Sequence, residues 1–339
     1  MAETRRIFGL SIDEELVWAS AETDGANITN VQINSMGFIQ GDDIGEQICS
    51  LLRAIGRREL ESFDGFGIST IGVVDSGKGR LVSLARKSWE RESDEFIIDF
   101  RKLLSTFVSD SDVPVKRLIV QNDATAAALS ELVVMRQKDP DCDRLLYLTF
   151  NEGVNGGIVY YDRPLATGCH PEMGHIRPAL HQNDPAIYGN SEFDRKKQTG
   201  CPIHGRCFEG VASGARIRHS WGGKKPSPTF SLQDLPLVHI AWQLEAFYIA
   251  QLCMIGALTI SPYYIVIGGH VMNETLLQLV RVKFRTMDGN YFLPAYMMNE
   301  ELIQQSYYGE HVNVRGALEL ARMAAYERQS QKLSLAWSQ

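Results

Sequence analysis

The sequence predicts an α/β chain built as two related lobes. Three observations carry this: an opening hairpin pattern, an alternation of helical and strand-like segments after it, and a second such cycle that starts at Arg144. Ile7 to Ile12 is apolar-rich and Val17 to Ala21 follows it. Asp24-Gly25 is a turn signal, and alternation resumes over Ile28 to Ile33. Ile44, Ile48, Leu51, Leu52 and Ile55 recur at helical spacing. Gly65 to Val74 reads as a short buried strand ending in Asp75-Ser76-Gly77. Helical spacing covers Phe96 to Val108, and Arg117 to Val120 reads as a strand. After Gln121-Asn122-Asp123 an alanine-rich helix is expected from Ala124 to Met135.

The second cycle repeats this grammar. Leu145 to Phe150 is a strand, a Gly/Asn-rich turn follows, and Gly157 to Tyr161 starts the return strand. Leu237 to Ile260 reads as a long apolar helix, and Tyr264 to Ile267 as a strand that ends in Gly268-Gly269. Leu276 to Phe284 and Gly316 to Tyr326 are helical, and Gln329 to Gln339 reads as a tail. The expected lobes are residues 1–123, completed by a C-terminal helix at about 312–328, and residues 124–311.

Composition removes several classes of function. With 339 residues and 44% hydrophobic content, two ordinary cores can form. A net charge of -7 argues against a nucleic-acid partner, which needs a basic surface. The clusters at Arg53 to Arg58 and Arg195 to Lys197 read as solvated faces. No apolar run is read as long enough to span a membrane, so no membrane is expected, and Met1 to Arg6 leads into a strand instead of a signal-peptide core. Six cysteines in a chain of this length are no disulfide framework, and a reducing cytoplasm is the expected location.

The chemistry concentrates in Pro171-Glu172-Met173-Gly174-His175-Ile176 and in Cys201-Pro202-Ile203-His204-Gly205-Arg206-Cys207-Phe208-Glu209-Gly210. Cys201, His204 and Cys207 fall within seven residues, and His175 stands upstream. Sulfur and imidazole donors at this spacing can close a tetrahedral zinc site. Glu172 and Glu209 flank the donors, so a metal there would also fix two carboxylates in space. Chance spacing is the competing reading. Asp123 likewise has two readings, an N-cap of the Ala124 helix or a base aimed at a ligand from the end of a strand.

These residues resemble the ROK family of sugar kinases, and within it the fructokinase-like branch. Asn122 to Glu131 is similar to the N-D-x-N-A-A-A-x-G-E segment of that family. Pro171 to Ile176 looks like its E-x-G-H motif, and Cys201 to Gly210 resembles the C-P-x-H-x-x-C-x-E-G motif of the branch. Weaker echoes at Gly65 to Ile68, Gly72 to Asp75 and Ile265 to Gly269 extend the likeness over nearly the whole chain. The resemblance implies a two-lobed, actin-like ATPase (ribonuclease H-like) fold with an inserted zinc motif and a cleft between the lobes. It implies Asp123 as the general base on a sugar hydroxyl, with Asn122, Glu172, His175 and Glu209 binding the other hydroxyls. It further implies structural zinc on His175, Cys201, His204 and Cys207, use of ATP with Mg2+, a small-molecule sugar as substrate, and a homodimer.

The chain departs from the family where phosphates should bind. The first phosphate turn should read D-x-G-G-T-K, but in Gly9-Leu10-Ser11-Ile12-Asp13-Glu14-Glu15-Leu16-Val17 both glycines of that turn, its threonine and its lysine are gone. Asp13 is the candidate for the magnesium-linked aspartate. The second should read G-T-G-I-G-x-G, and here Asn151-Glu152-Gly153-Val154-Asn155-Gly156-Gly157 puts Glu152 at the threonine. Gly153, Gly156, Gly157, Gly268 and Gly269 are the remaining nucleotide-side candidates. Added carboxylates would repel a triphosphate unless magnesium intervened. The segment between His175 and Cys201, including Asn183-Asp184-Pro185 and Tyr188-Gly189-Asn190, looks longer than usual and is expected to cover the sugar pocket or a subunit contact. Two functions follow as expectations: an ATP-dependent hexose kinase for a fructose-like substrate, or a pseudokinase that binds a sugar without ATP, with altered chemistry in the same cleft as its variant. A DNA-binding repressor is not expected, because only about six residues precede the first strand.

Overall fold

The computed structural model describes residues 3–38, 43–83, 97–108, 117–165, 170–184, 200–201, 203–223, 227–288 and 300–336. The chain divides into two compact units, one from residues 1–130, 164–170 and 311–339, the other from 131–163 and 171–310. The dividing point after Ser130 falls inside a helix, a few residues beyond Asp123.

In the first unit β1 (Arg5–Ile12), β2 (Glu15–Thr23) and β3 (Ile28–Gly37) form an antiparallel meander. Helices α1 (Ile44–Ile55) and α2 (Arg57–Leu60) follow, then β4 (Gly65–Thr70). The predicted strand to Val74 stops at Thr70. Val73–Asp75 (β5) instead joins Arg80–Ser83 (β6) and Ile98–Asp99 (β7) in a small antiparallel sheet. Helix α3 is confined to Phe100–Ser105, because Asp99 caps it by accepting the Lys102 N–H at 3.0 Å. Phe96 lies outside the described residues. β8 (Leu118–Asn122) then leads directly into α4 (Asp123–Lys138). The main sheet has the order β3-β2-β1-β4-β8, with β1, β4 and β8 parallel.

Side chains alternate between the faces of this sheet. Phe8, Leu10, Ile12, Phe66 and Ile68 share one buried cluster with Ile48, Leu51, Leu52 and Phe100. On the other face Ile7 and Ala19 pack with Val314, Leu318 and Ala321 of the C-terminal helix (Val312–Ala336). Small residues set that approach. A Cβ at Gly67 would lie 1.9 Å from the Ala317 carbonyl oxygen, and one at Gly65 2.2 Å from that of Ala321. The helix extends to Ala336, into the residues expected to be a tail.

The second unit carries β9 (Arg144–Phe150), β10 (Val154–Tyr160) and β11 (Arg163–Pro164). Helices α5 (Phe208–Ala212), α6 (Gly214–Trp221) and α7 (Ile240–Ile260) follow, then β12 (Tyr264–Gly268), α8 (Glu274–Asp288) and β13 (Ile303–Gln305). The sheet order is β11-β10-β9-β12-β13, with β9, β12 and β13 parallel. Its core joins Leu146, Leu148, Phe150, Ile265 and Ile267 to Leu244, Ile249, Leu252 and Cys253 of α7. The 21 residues of α7 are long and apolar enough to cross a membrane by length and composition, which corrects the reading that no such run exists. In this fold the helix is the core helix of the unit: Ala241, Ala246, Ile249, Leu252 and Cys253 are fully buried.

A buried polar cluster lies beside α7. Arg216 donates to Asp184 at 2.7 Å, and the Tyr248 hydroxyl donates to the other Asp184 oxygen at 2.9 Å. Glu245 is 2% exposed, and its Oε2 has no hydrogen-bond partner among the described residues. One arginine faces two carboxylates, and burial pushes the Glu245 carboxyl well above its ordinary range despite the Arg216 charge. Asp184 closes the described part of the long segment after His175; the expected covering role of that segment falls on residues 185–199, outside the described residues.

Candidate functional site

In the first unit the parallel strands end side by side. Thr70 of β4 is registered with Asn122 of β8, and Ile12 of β1 with Thr70. Ligands of open α/β sheets collect at such carboxyl ends. Asn122 is 1% exposed, and its Oδ1 accepts the Ala124 N–H at 3.1 Å. The cap of α4 is therefore Asn122, one residue earlier than the N-cap reading of Asp123, and Asp123 is the first residue of the helix itself. Asp123 is buried at 9% exposure at the same strand end. Asp13 lies in the short tip between β1 and β2, where Asp13 N–H donates to the Glu15 carbonyl at 3.2 Å and Asn313 Nδ2 stands 3.5 Å from Asp13 Oδ2. Glu14 and Glu15 are exposed at this tip, so three carboxylates gather where the first phosphate turn was expected.

In the second unit the two motifs are stitched together. The Phe208 N–H donates to the Ile176 carbonyl at 3.0 Å, joining the residue after His175 to the residue after Cys207. Met173–His175 is a single 3-10 turn laid against β10. Gly174 permits that approach, since a Cβ there would sit 1.8 Å from the Val154 carbonyl oxygen. Gly205 takes φ +67° in the turn between His204 and Cys207.

His175, Cys201, His204 and Cys207 converge, with all four donor atoms within 4.8 Å of one another. The two Nδ1 atoms are 3.2 Å apart, and Sγ to Nδ1 separations are 3.7, 3.8 and 3.9 Å. A tetrahedral zinc with ordinary bond lengths requires roughly 3.3 Å between two nitrogens and about 3.6 Å between nitrogen and sulfur. The donors fit a metal of that size and coordination, which tells against chance spacing. Cys201 and Cys207 are fully buried. The Cys201 thiol is held low by a hydrogen bond from Cys207 and by backbone N–H groups of His204 and Ile203, as a thiolate ligand requires.

The two glutamates lie at the rim of this tetrad. Glu172 Oε2 is 3.8 Å from His175 Nε2, the ring nitrogen that faces away from the sulfurs. A carboxylate on this side of the ring is placed where a partner of a metal-bound imidazole would stand, though 3.8 Å is too long for a direct hydrogen bond. Glu209 opens α5 two residues after Cys207, and its Oε2 accepts the Val154 N–H at 3.4 Å. Burial lifts the Glu209 carboxyl to about 8, and the charge of Cys201 adds to the shift.

Among the residues expected to face a nucleotide, the turn after β9 is tighter than expected. Asn151 N–H donates to the Gly153 carbonyl at 2.9 Å, and Val154 already belongs to β10. Gly156 and Gly157 lie within that strand, paired with Leu148 and Tyr147, and Gly156 sits beneath Met173. Gly268 ends β12, and Gly269 follows at φ +98°. The unfavourable charge expected of Glu152 is offset: both Nη atoms of Arg218 reach its carboxylate, one at 2.6 Å, and His270 Nε2 is 3.5 Å away. Neither Arg218 nor His270 stood out in the sequence, because only the packing of α6 and of the turn after β12 brings them to Glu152. Asn122 and Asp123 belong to the first unit, and Glu172, Glu209 and the metal donors to the second.

The sequence profile of the ROK family matches residues 30–324. A fructokinase of Zymomonas mobilis subsp. mobilis is 29% identical over 271 residues, covering 78% of this chain and 79% of its own. A fructokinase of Lactococcus lactis subsp. cremoris is 31% identical over 233 residues, covering 66% of this chain and 68% of its own. Among solved structures, a ROK family protein from Streptococcus pneumoniae in complex with sucrose superposes with a TM-score of 0.68 at 18% identity, covering 96% of this chain and 99% of that one. A ROK family glucokinase from Streptomyces griseus in complex with glucose and AMPPNP superposes with a TM-score of 0.64 at 18% identity, covering 94% and 99%. These superpositions establish the actin-like ATPase fold. The profile match over most of the length, on a chain that carries the E-x-G-H and Cys/His elements, places it by sequence: the chain belongs to the ROK family.

Proposed function

We propose that the protein is an ATP-dependent hexose kinase acting on fructose or a closely related sugar. One observation carries the reading: Glu172 and Glu209 flank a Cys/His tetrad of zinc dimensions, so the second unit presents fixed carboxylates able to bind sugar hydroxyls. The fructokinase relatives support the substrate class. In this reading Asn122, Glu172, His175 and Glu209 hold the sugar. Asp123 takes the proton from one hydroxyl as its oxygen attacks the γ-phosphorus; the bond to the bridging oxygen breaks, and ADP leaves. His175, Cys201, His204 and Cys207 would hold zinc, which would supply a rigid cross-link. Asp13 would hold magnesium, which would neutralise phosphate charge, and Gly153, Gly156, Gly157, Gly268 and Gly269 would line the nucleotide side. The protein acts in the cytoplasm as a homodimer.

The test is incubation of purified protein with Mg·ATP and a panel of hexoses, with sugar phosphate detected directly. Fructose is expected to turn over. The reading fails if no product forms where the Zymomonas enzyme turns over in the same mixture. The acidic tip at Asp13, Glu14 and Glu15 favours a second reading, a pseudokinase that binds sugar without nucleotide. Under it, sugar raises the melting temperature and Mg·ATP leaves it unchanged. Stabilisation by Mg·ATP removes that reading.

A further inference from the structure

Glu152, Arg218 and His270 come from three separate segments of the second unit and meet at one place. Glu152 is in the turn after β9, Arg218 is in α6, and His270 follows Gly268-Gly269. Their side chains are 34%, 16% and 47% exposed, so the trio opens to solvent. Asn151 binds the three segments into one floor. Its Oδ1 accepts the His270 N–H at 2.8 Å, and its carbonyl accepts the Gly214 N–H at 2.7 Å. The backbone is drawn close here: a Cβ at Gly214 would meet His270 Nε2 at 2.5 Å, and one at Gly269 would meet the Phe150 carbonyl oxygen at 2.3 Å.

This floor lies at the carboxyl ends of the parallel strands β9 and β12, where open sheets bind ligands. It also includes the turn that corresponds to the second phosphate turn of the family. The planar fork of an arginine matches a carboxylate and a phosphate equally well. Glu152 alone would repel phosphates, whereas Glu152 paired with Arg218 carries no net charge. A pair with no further task would not need a histidine on the same carboxylate.

We infer that Arg218 is the cation that takes the phosphate chain of the phosphoryl donor. Glu152 is its resting counter-ion, and His270 keeps hold of Glu152 when Arg218 turns to the phosphates. The inference rests on the kinase reading for the identity of the donor, and it explains how a turn that lost its threonine still accepts a polyanion.

Competition between Glu152 and phosphate for one arginine has a sign that a merely structural pair lacks. The experiment is calorimetric titration of the full chain and of its R218A, R218K and E152Q variants. The titrants are Mg·ATP and, separately, magnesium tripolyphosphate, with steady-state KM values for ATP and fructose measured alongside. R218A is expected to weaken both anions by about tenfold or more, the worth of a charge-assisted hydrogen bond. R218K retains part of the affinity, because it keeps the charge and loses the fork. E152Q tightens binding by roughly two- to fivefold, the release of a half-exposed ion pair. The KM for fructose stays as in the parent chain.

Parallel loss of anion affinity in E152Q and R218A overturns the inference, as does an R218A variant that binds like the parent. If R218A loses its melting transition, R218K and E152Q decide by the same signs. A parent chain that phosphorylates fructose while R218A keeps its KM for ATP overturns the inference and leaves the kinase reading standing. A parent chain that makes no sugar phosphate yet binds tripolyphosphate through Arg218 does the reverse. A parent chain that binds neither anion overturns the inference.

Discussion

Asp123 and Glu245 are two buried carboxylates, and the proposed function gives work only to the first. Asn122 takes one N–H of the first turn of α4, that of Ala124, and an asparagine at position 123 keeps the shape and hydrogen-bonding capacity of the Asp123 side chain. Asp123→Asn should therefore leave the melting temperature and sugar binding near those of the parent, and lower kcat by about 10² to 10⁴, the range of a general base. Calorimetry and a coupled kinase assay check the two halves. Glu245 is instead a burden on the second unit. Its carboxyl is raised above the ordinary value in the folded chain, so the folded state holds the proton more tightly than the unfolded one. Its contribution is fully present below the unfolded pKa and is lost as pH rises through the folded value. Glu245→Gln should then raise the melting temperature at pH 8, and the gain should shrink towards pH 4. A gain that grows on acidification would contradict the assignment.

At the scale of elements, close approach does more than propensity. Gly65 and Gly67 read in the sequence as a faint motif echo, and the structure gives them a packing task under the C-terminal helix. A methyl group at Gly67 would meet the Ala317 carbonyl at 1.9 Å, so the helix must shift or lift. Gly67→Ala should cost about 1–3 kcal/mol by overpacking, measured by urea unfolding. Gly174 has the same function under the E-x-G-H turn. The elements with a clear period were legible: the α1 spacing gave its bounds at Ile44 and Ile55. Phe96 to Val108 misled, because apolar spacing cannot show that Asp99 caps a shorter helix behind a strand. The C-terminal helix runs on to Ala336, beyond the end of its apolar pattern at Tyr326.

At the scale of the molecule, each unit is a sheet with its own core, and the second also has a metal-sized cross-link. Cys201 and Cys207 reach the core of that unit through Phe208 and Val211, both nearly fully buried. Removal of metal should loosen that corner. A strong chelator, or Cys201→Ser, is expected to lower the melting temperature by about 5–10 °C and raise the KM for sugar, with metal content followed by atomic absorption. A chain that contains no zinc as purified and is indifferent to chelation would refute the metal assignment.

The sequence by itself determined the two-cycle α/β plan, the four Cys/His residues that converge, the flanking glutamates and the strand end that carries Asp123. These are local facts, set by period, spacing and residue chemistry. Only the tertiary structure decided that Asn122 does the capping, that the return strand already begins at Val154 and so takes in Gly156, and that α7, apolar as a membrane span, is a core helix. It also placed Arg218 and His270 on Glu152, 66 residues away in sequence for the arginine and on a third segment for the histidine. A charge read along the chain is only a sign. Its partner is set by how helices and turns pack, which no local pattern encodes.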